Sequence, residues 1–239
     1  MAYLFIDTRA SLTGTFKAAV KGAVKSKYAL ALTNGEKKCS IPLRTDGVPE
    51  VFPLTLGDGW YVAQLEENII ANRYRVIQTV GFNVKLIDQR MPWISPSRFV
   101  PFEHGSKITE LAKALCEGKS TETEKYKAIT GYVKGHFVYD HAKAARTRYD
   151  YYTIEPDVDR VVDTGFGVCV DLASAVVAML RSQGIVSKLV YGYIGEGLRK
   201  KYHAWTVSIV DGRERMYDPT TDAGCPSYLN VKHTPDKIF

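Results

Sequence analysis

The stretch that decides the fold of the second half of this chain is GFGVCVDLASAVVAMLRSQG, residues 165–184. Its apolar positions recur at helical spacing: Leu172, Val176, Met179 and Leu180. Gly184 follows as a residue that tolerates the left-handed conformation at a helix end. The pattern therefore predicts a helix over residues 169–183, with Cys169 in its first turn.

The position of Cys169 has a chemical meaning. Unpaired backbone N–H groups and the positive end of the helix dipole stabilise a thiolate at such a place, which favours a nucleophile. For an isolated cysteine the alternative interpretation, a small buried residue of a core helix, has more weight. The choice depends on which groups the fold brings to it.

Three strands are expected after this helix, over residues 185–194, 203–210 and 214–218. Asp211-Gly212 lies between the last two and is typical of a two-residue hairpin turn. Such a turn pairs Trp205 with Asp218, and His203 lies two residues from Trp205 on the same face. His203 and Asp218 are then diagonal neighbours, with Cα atoms about 7–8 Å apart. A four-residue turn would keep this parity, whereas a three-residue turn would place the two side chains on opposite faces.

Cys169, His203 and Asp218 together suit nucleophilic catalysis. The thiolate attacks an acyl carbon, the imidazole takes and returns a proton, and the carboxylate fixes the imidazole tautomer and stabilises its cation. Singly, a histidine on a strand is more often a core residue, and Asp-Pro after a strand is often only a turn. As metal ligands these residues lack a motif spacing, so neither a metal nor another cofactor is expected.

Five separated motifs support this interpretation. They are Gly167-Val168-Cys169-Val170-Asp171, Ala178-Met179-Leu180-Arg181-Ser182-Gln183-Gly184-Ile185, Tyr191-Gly192-Tyr193, His203-Ala204-Trp205 and Asp218-Pro219-Thr220. In this order and spacing they resemble the core of the transglutaminase-like superfamily, over about residues 105–222. The resemblance implies a papain-like triad in which a helix bears the cysteine and adjacent strands bear the histidine and the aspartate.

Further residues acquire roles from this resemblance. Asp171 matches the family's acidic position, and a structural role is implied, bonding local backbone and ordering the turn. Where many members carry a Trp before the aspartate, this chain reads Arg215-Met216-Tyr217, which alters a wall of the site. No acidic cluster suggests the calcium sites of animal transglutaminases.

Candidate substrate-binding residues are Trp205, Tyr202, Tyr193 and Asp171. Aromatic residues on strands are also common in cores, so a core role is the alternative for the first three. The loop over residues 195–202 holds two glycines and three consecutive basic residues, Arg199, Lys200 and Lys201. It is expected to form a movable rim of the site, although a solvated basic loop without effect on substrate choice is an equal alternative.

The first ninety residues are typical of a β-rich domain. Short segments rich in β-branched and aromatic residues occupy residues 51–56, 60–65, 74–80 and 82–87. Residues 16–24 fit either a helix or a strand, and Gly14, Gly22 and the alternation over residues 28–32 favour strands. We expect a β-sandwich-like domain over residues 1–95, similar to the N-terminal β-domain of some bacterial proteins of this group.

Pro92, Pro96 and Pro101 mark the expected boundary, and a catalytic domain follows over residues 96–239. There, helical spacing over residues 108–115 ends at Gly118, and a capping box, Thr121 to Glu124, begins a second helix. Residues 140–168 look irregular. The fold class expected for the chain is α+β, with the Cys169 helix packed against an antiparallel sheet.

Composition bounds the function. The chain has 239 residues, of which 45% are hydrophobic, enough for a sizeable core. No apolar run approaches the roughly 18 residues of a membrane span, so no integral membrane segment is expected. No signal peptide is visible, and the location stays open, with a lean to a secreted or cell-surface protein if a segment precedes the given start. The four cysteines form no C-x-x-C motif, which argues against a disulfide framework or a zinc site.

The net charge of +6 is concentrated in the N-terminal part, since residues 1–100 carry an excess of five positive charges. Such a basic domain could hold an anionic surface, although a solvated surface is the commoner explanation. Aromatic interleaving and a nucleic-acid motif are both missing, so nucleic-acid binding is not expected.

The function expected from these observations is cysteine-dependent acyl transfer or hydrolysis at amide bonds through a Cys169 thioester. Peptides, proteins and cell-wall peptides are the expected substrates. The alternative from another class is a cell-envelope scaffold or binding module that keeps the fold without turnover. Within enzymes, peptide hydrolysis is favoured over protein crosslinking to lysine, because the basic loop would repel a protonated amine.

Overall fold

The computed structural model describes residues 1–9, 11–22, 24–71, 73–147, 155–197, 200–228 and 231–239. The chain separates into two compact units, Met1–Ser97 and Arg98–Phe239, which divide two residues after the expected boundary. Antiparallel sheets and helices together confirm the predicted α+β class. None of the described helices is both long and apolar enough to cross a membrane.

The first unit is built from antiparallel strands. They are β1 (Ala2–Asp7), β2 (Thr15–Gly22), β3 (Tyr28–Asn34), β4 (Lys37–Leu43), β5 (Glu50–Pro53), β6 (Gly59–Ile70) and β7 (Arg73–Val84). One sheet has the order β1-β2-β5 and the other β4-β3-β6-β7. The ring of Phe16 on β2 lies 5.7 Å from the ring of Phe82 on β7, so aromatic side chains of the two sheets meet in the core of this unit. The sandwich layering stays a prediction.

Two details of these strands follow from local sequence. Residues 16–22 lie on strand β2, as expected for the start of the segment over residues 16–24. The two strands expected over residues 74–80 and 82–87 are instead one strand, β7, which continues through Gly81. A side chain there would collide with the ring of Trp60 on β6, because a Cβ atom would lie 2.5 Å from it. Gly81 therefore makes room for an aromatic ring across the sheet rather than ending the strand.

The second unit combines helices with one larger antiparallel sheet. Its helices are α1 (Lys107–Cys116), α2 (Glu122–His136), α3 (His141–Arg146), α4 (Val158–Thr164), α5 (Cys169–Ser182) and α6 (Pro219–Asp222). Its strands are β8 (Val138–Tyr139), β9 (Phe166–Gly167), β10 (Ser187–Ile194), β11 (Lys201–Val210), β12 (Arg213–Tyr217) and β13 (His233–Ile238). The main sheet has the order β12-β11-β10-β13, and the two-residue strands β8 and β9 pair in parallel.

Helix α5 is the centre of this unit. It contacts α1, α2, α4 and α6 as well as strands β10 and β11, and residues 169–181 are all buried. The sequence predicted one apolar face, but the small residues between the larger apolar ones allow neighbours on every side.

The predicted capping box of α2 is present: Thr121 Oγ1 accepts from the Glu124 N–H at 3.2 Å, and the Glu124 carboxylate accepts from the Thr121 N–H at 3.0 Å.

The hairpin between β11 and β12 has the expected register. Asp211 and Gly212 both have positive φ, 49° and 73°, as a two-residue turn of this kind requires. Val210 stands opposite Arg213, and Thr206 stands opposite Tyr217. The paired ladder ends there, and the same register continued by one position places Trp205 opposite Asp218, as the turn predicts.

One expectation for the second unit was wrong, and one strand was missed. The segment over residues 140–168 contains α3 and α4, each capped by an aspartate that accepts from a backbone N–H three residues on. These helices have only six and seven residues, too few for a hydrophobic period to stand out. Residues 148–154 lie outside the described residues. Strand β13 was also missed, because its sequence, HTPDKI, is mostly polar and contains Pro235 at a register shift.

We predict opposite effects for two glycine substitutions in the second unit. A Cβ at Gly192 would lie against the Thr234 carbonyl oxygen and 2.7 Å from Trp205 Cη2, so Gly192→Ala should lower the free energy of unfolding by about 1–3 kcal/mol. Gly131 lies exposed in α2 with nothing near its Cβ position, so Gly131→Ala should raise it by up to about 1 kcal/mol. Chemical denaturation of both variants checks this. An unchanged Gly192→Ala protein would contradict the packing described here.

Candidate active site

Cys169 is the first residue of α5, and its backbone is set by the residues before it. Gly167 leaves no room for a side chain, since a Cβ atom would lie 2.8 Å from Asp171 Cβ. The Val168 N–H donates to the Asp171 carboxylate at 3.0 Å, which ties the turn to the helix. The Cys169 side chain is buried, with only 2% of the residue exposed. Cys169 thus lies at the start of α5, where the first backbone N–H groups have no partner within the helix.

Asp171 connects this turn to a second helix. Its carboxylate is buried and accepts from Lys143 Nζ of α3 at 2.7 Å. Together with the Val168 N–H bond, this contact gives Asp171 the local, turn-ordering position that the family resemblance implied. The carboxylate is engaged by the scaffold, and a contact with substrate stays a prediction.

The hairpin register brings His203 and Asp218 together. His203 Nε2 lies 2.8 Å from Asp218 Oδ2, and both residues are buried. The other carboxylate oxygen, Oδ1, accepts from the Thr220 N–H at 3.0 Å, because Asp218 is also the N-cap of α6. One oxygen therefore holds the imidazole while the other is fixed by backbone.

The Cys169 side chain acts on His203, because it contributes to raising the pKa of the imidazole. Since Nε2 faces Asp218, Nδ1 is the ring nitrogen left to face the sulfur. Burial lowers the pKa of His203, but the hydrogen bond to Asp218, the interaction with Cys169 and the charges of both side chains raise it to about 9. Burial raises the pKa of Asp218, whereas the hydrogen bond from His203 and the nearby ring of a second histidine, His233, bring it to about 2. At neutral pH the pair is an imidazolium held by a carboxylate.

The second of those histidines, His233, was not found by sequence reasoning. It opens strand β13, its Nδ1 lies 2.9 Å from the Val231 carbonyl oxygen, and its Nε2 lies 3.5 Å from Asp218 Oδ2. Its ring meets the Trp205 ring edge to face at 4.8 Å. No local signal marks His233, because only the pairing of β13 with β10 brings it to Asp218.

The expected aromatic residues divide between the two faces of the sheet. Trp205 shares the face of His203, and their rings stack 6.4 Å apart. Tyr193 and Tyr202 stand opposite each other in the ladder and alternate with His203, so they lie on the other face. Tyr202 donates there to Asp236 at 3.0 Å. The structure therefore does not bring these two tyrosines to the imidazole.

Tyr228, rather than Tyr193 or Tyr202, is the tyrosine beside the His203 imidazole. Its ring lies 5.0 Å from the His203 ring, edge to face. The sequence offered no signal for it, because Tyr228 lies in a short 3-10 turn outside the motifs. The loop expected to form a rim includes residues 198–199, which lie outside the described residues.

All four cysteines lie in the described part of the chain, and no disulfide joins them. Burial raises the pKa of Cys116, and burial together with the charges of Asp218 and Cys169 raises the pKa of Cys225. Within the described ranges, no group of three or more histidine, cysteine or acidic residues has an arrangement that could hold a metal ion.

Residues 109–215 match the family model of the transglutaminase-like superfamily. This segment contains Cys169 and His203, and Asp218 follows three residues after its end. Among curated proteins, none matches the chain significantly.

Solved structures give a looser likeness. A structure of "a TGase" is 24% identical, with 48% of this chain and 30% of that chain covered and a TM-score of 0.35. "A Putative Cysteine Protease from Cytophaga hutchinsonii" is 15% identical, with 100% and 91% covered and a TM-score of 0.44. Red sea bream transglutaminase is 10% identical, with 90% and 49% covered and a TM-score of 0.38.

The chain spans only 30% of the first of these proteins and 49% of the red sea bream enzyme. All of these TM-scores are below 0.5.

The imidazole of His203 should titrate far above an ordinary histidine. We expect its midpoint near pH 9, and Asp218→Asn should lower it by more than about one pH unit, because the amide removes the negative charge. Since the folded pKa is raised, this proton stabilises the fold fully below about pH 6.5, and the contribution is lost as pH rises towards 9. NMR titration of the His203 ring proton measures the midpoint. A wild-type midpoint near 6.5 that Asp218→Asn does not move would contradict the pairing.

The pair between Lys143 and Asp171 should matter for stability. Lys143→Met leaves the buried carboxylate without its cation and should lower the free energy of unfolding by roughly 1–3 kcal/mol. The double variant Lys143→Met/Asp171→Asn should recover part of this loss, since no buried charge remains. Urea denaturation of the wild type, the single variant and the double variant checks the prediction, and three equal values would refute it.

Proposed function

We propose that the protein is a cysteine-dependent enzyme acting on amide bonds, on the premise that residues 109–215 match the family model of the transglutaminase-like superfamily. Cys169 is its nucleophile, His203 its acid and base, and Asp218 the residue that orients His203. The observation that carries the proposal is the 2.8 Å contact between His203 Nε2 and Asp218 Oδ2, beside a buried cysteine that begins α5 and whose charge raises the pKa of His203.

The first half of the reaction forms a thioester. With the thiol proton held by His203, the Cys169 thiolate attacks the carbonyl carbon of the amide, and the C=O electron pair moves onto oxygen. The N–H groups of the first turn of α5 suit this oxyanion, because they point out of the helix start without helical partners. The C=O bond then re-forms as the C–N bond breaks, His203 gives its proton to the amide nitrogen, and the amine leaves.

The second half resolves the thioester. Neutral His203 takes a proton from the incoming water or amine, whose oxygen or nitrogen attacks the acyl carbon. The C–S bond breaks, and sulfur leaves as thiolate beside the newly protonated imidazole. Asp218 stays ionised throughout and stabilises each imidazolium that forms.

Either water or an amine can act as the acceptor in this reaction. The positive charge near the site favours water. Lys201 lies two residues before His203 in the sequence and is exposed. Its positive charge disfavours a protonated lysine side chain as the acceptor. Hydrolysis of peptide-like amides, in peptides, proteins or cell-wall peptides, is therefore the favoured reaction over protein crosslinking.

One observation favours a second candidate function. Cys169 is 2% exposed, so a substrate reaches the sulfur only where neighbouring side chains leave a path or move. A binding or scaffold module that keeps the triad without turnover is consistent with that burial.

A peptide library containing glutamine and other amides, incubated with an excess of a primary amine, separates these functions. We expect hydrolysed products to exceed amine adducts, and both should fall at least about 10³-fold in Cys169→Ser and in His203→Ala. Cys116→Ser serves as the control and should keep the activity.

Dominant amine incorporation that depends on Cys169 would replace hydrolysis with transamidation. Absence of turnover in the wild type would support the scaffold function instead. Turnover that survives in Cys169→Ser would refute the nucleophile.

A further inference from the structure

Two adjacent lysines at the start of β11 point to different parts of the second unit. Lys200 Nζ lies over the Tyr193 ring at 6.0 Å, whereas Lys201 Nζ lies over the Tyr228 ring at 5.7 Å. Tyr193 is on the face of the sheet opposite His203. Of the two lysines, Lys201 is thus the one directed to the side of the imidazole.

Tyr228 links Lys201 to the catalytic histidine. Its ring is 5.0 Å from the His203 ring, so the Lys201 ammonium lies at most about 11 Å from the imidazole centre. That distance is about three residues of extended chain. A group held by Lys201 would therefore belong to the same substrate molecule, within about three residues of the amide that Cys169 attacks.

The neighbouring carboxylates already have partners. Asp218 is held by His203 and by the Thr220 N–H. Asp236 accepts from Tyr202, and Glu196 lies 3.4 Å from Lys232 Nζ.

Within the described residues, no ion pair involves Lys201. Its charge nevertheless acts inside the site, because it opposes the increase that burial and the charges of Asp218 and Cys169 cause in the pKa of Cys225. Lys201 therefore presents a positive charge at the site for which the described chain supplies no counter-charge.

We propose that Lys201 is a substrate-binding residue that recognises a carboxylate on the acyl donor, within about three residues of the amide attacked. This assignment rests on the proposed function, and it narrows the substrate class to acidic peptide-like amides. A lysine ammonium over an aromatic ring suits this task, since the ring holds the cation and leaves its N–H groups free for an oxyanion.

Two alkylating reagents of similar size test the charge without a known substrate. Iodoacetate is an anion, iodoacetamide is neutral, and mass spectrometry measures the modification rate of Cys169 with each. Lys201→Met should lower the ratio of the iodoacetate rate to the iodoacetamide rate by about two- to fourfold at low salt. Lys200→Met is the matched control, because it removes the same charge one residue away, and its ratio should stay close to that of the wild type.

A second comparison tests the carboxylate itself. N-acetylglutamic acid α-amide and N-acetylglutamine amide differ only in a side-chain carboxylate and amide. The acid should protect Cys169 from iodoacetamide more strongly than the amide in the wild type and in Lys200→Met. In Lys201→Met the difference should disappear.

Different outcomes would refute the proposed function, the role of Lys201 and carboxylate recognition. A Cys169 that reacts with neither reagent would overturn the proposed function. A reactive Cys169 whose reagent ratio falls equally in Lys201→Met and Lys200→Met would overturn only the role of Lys201. Equal protection by the two amino-acid derivatives in the wild type would overturn carboxylate recognition.

Discussion

The two-residue turn at Asp211-Gly212 is the constraint on which the candidate site depends. Side chains alternate along a strand, so the parity of this turn decides whether Asp218 and His203 share a face. With both turn residues at positive φ, the register of the ladder, continued by one position, places Trp205 opposite Asp218 and leaves His203 on the same side. One residue more would direct the carboxylate to the opposite face and leave the imidazole without its partner.

The helix supplies the other half of the geometry. Helix α5 is surrounded by helices on some sides and by β10 and β11 on others, so its first turn has a fixed place beside the sheet. Asp171 reinforces this place, because it bonds both the Val168 N–H and Lys143. The thiol is thus positioned by buried packing, while the imidazole is positioned by strand register.

The parts of the site that depend on local sequence were predictable. The start of α5 is marked by the helical period and the preceding glycines, and the contact between His203 and Asp218 follows from counting residues back from Asp211-Gly212. His233 and Tyr228 were not predictable in this way. Their proximity to the site arises from a late strand and a short turn, whose positions depend on pairing with distant segments. Tyr193 and Tyr202 were wrongly expected at the site, because they lie near His203 in the ladder but on the other face of the sheet.

In the site described here, His203, held by Asp218, should make Cys169 a more reactive thiol than the other cysteines. The most direct measurement is the alkylation rate of each of the four cysteines by iodoacetamide at pH 6.5, in the wild type and in His203→Ala. We expect Cys169 to react at least about tenfold faster than Cys39, Cys116 and Cys225, and His203→Ala to remove this advantage. Equal rates for all four cysteines, or a Cys169 rate that His203→Ala leaves unchanged, would contradict this expectation.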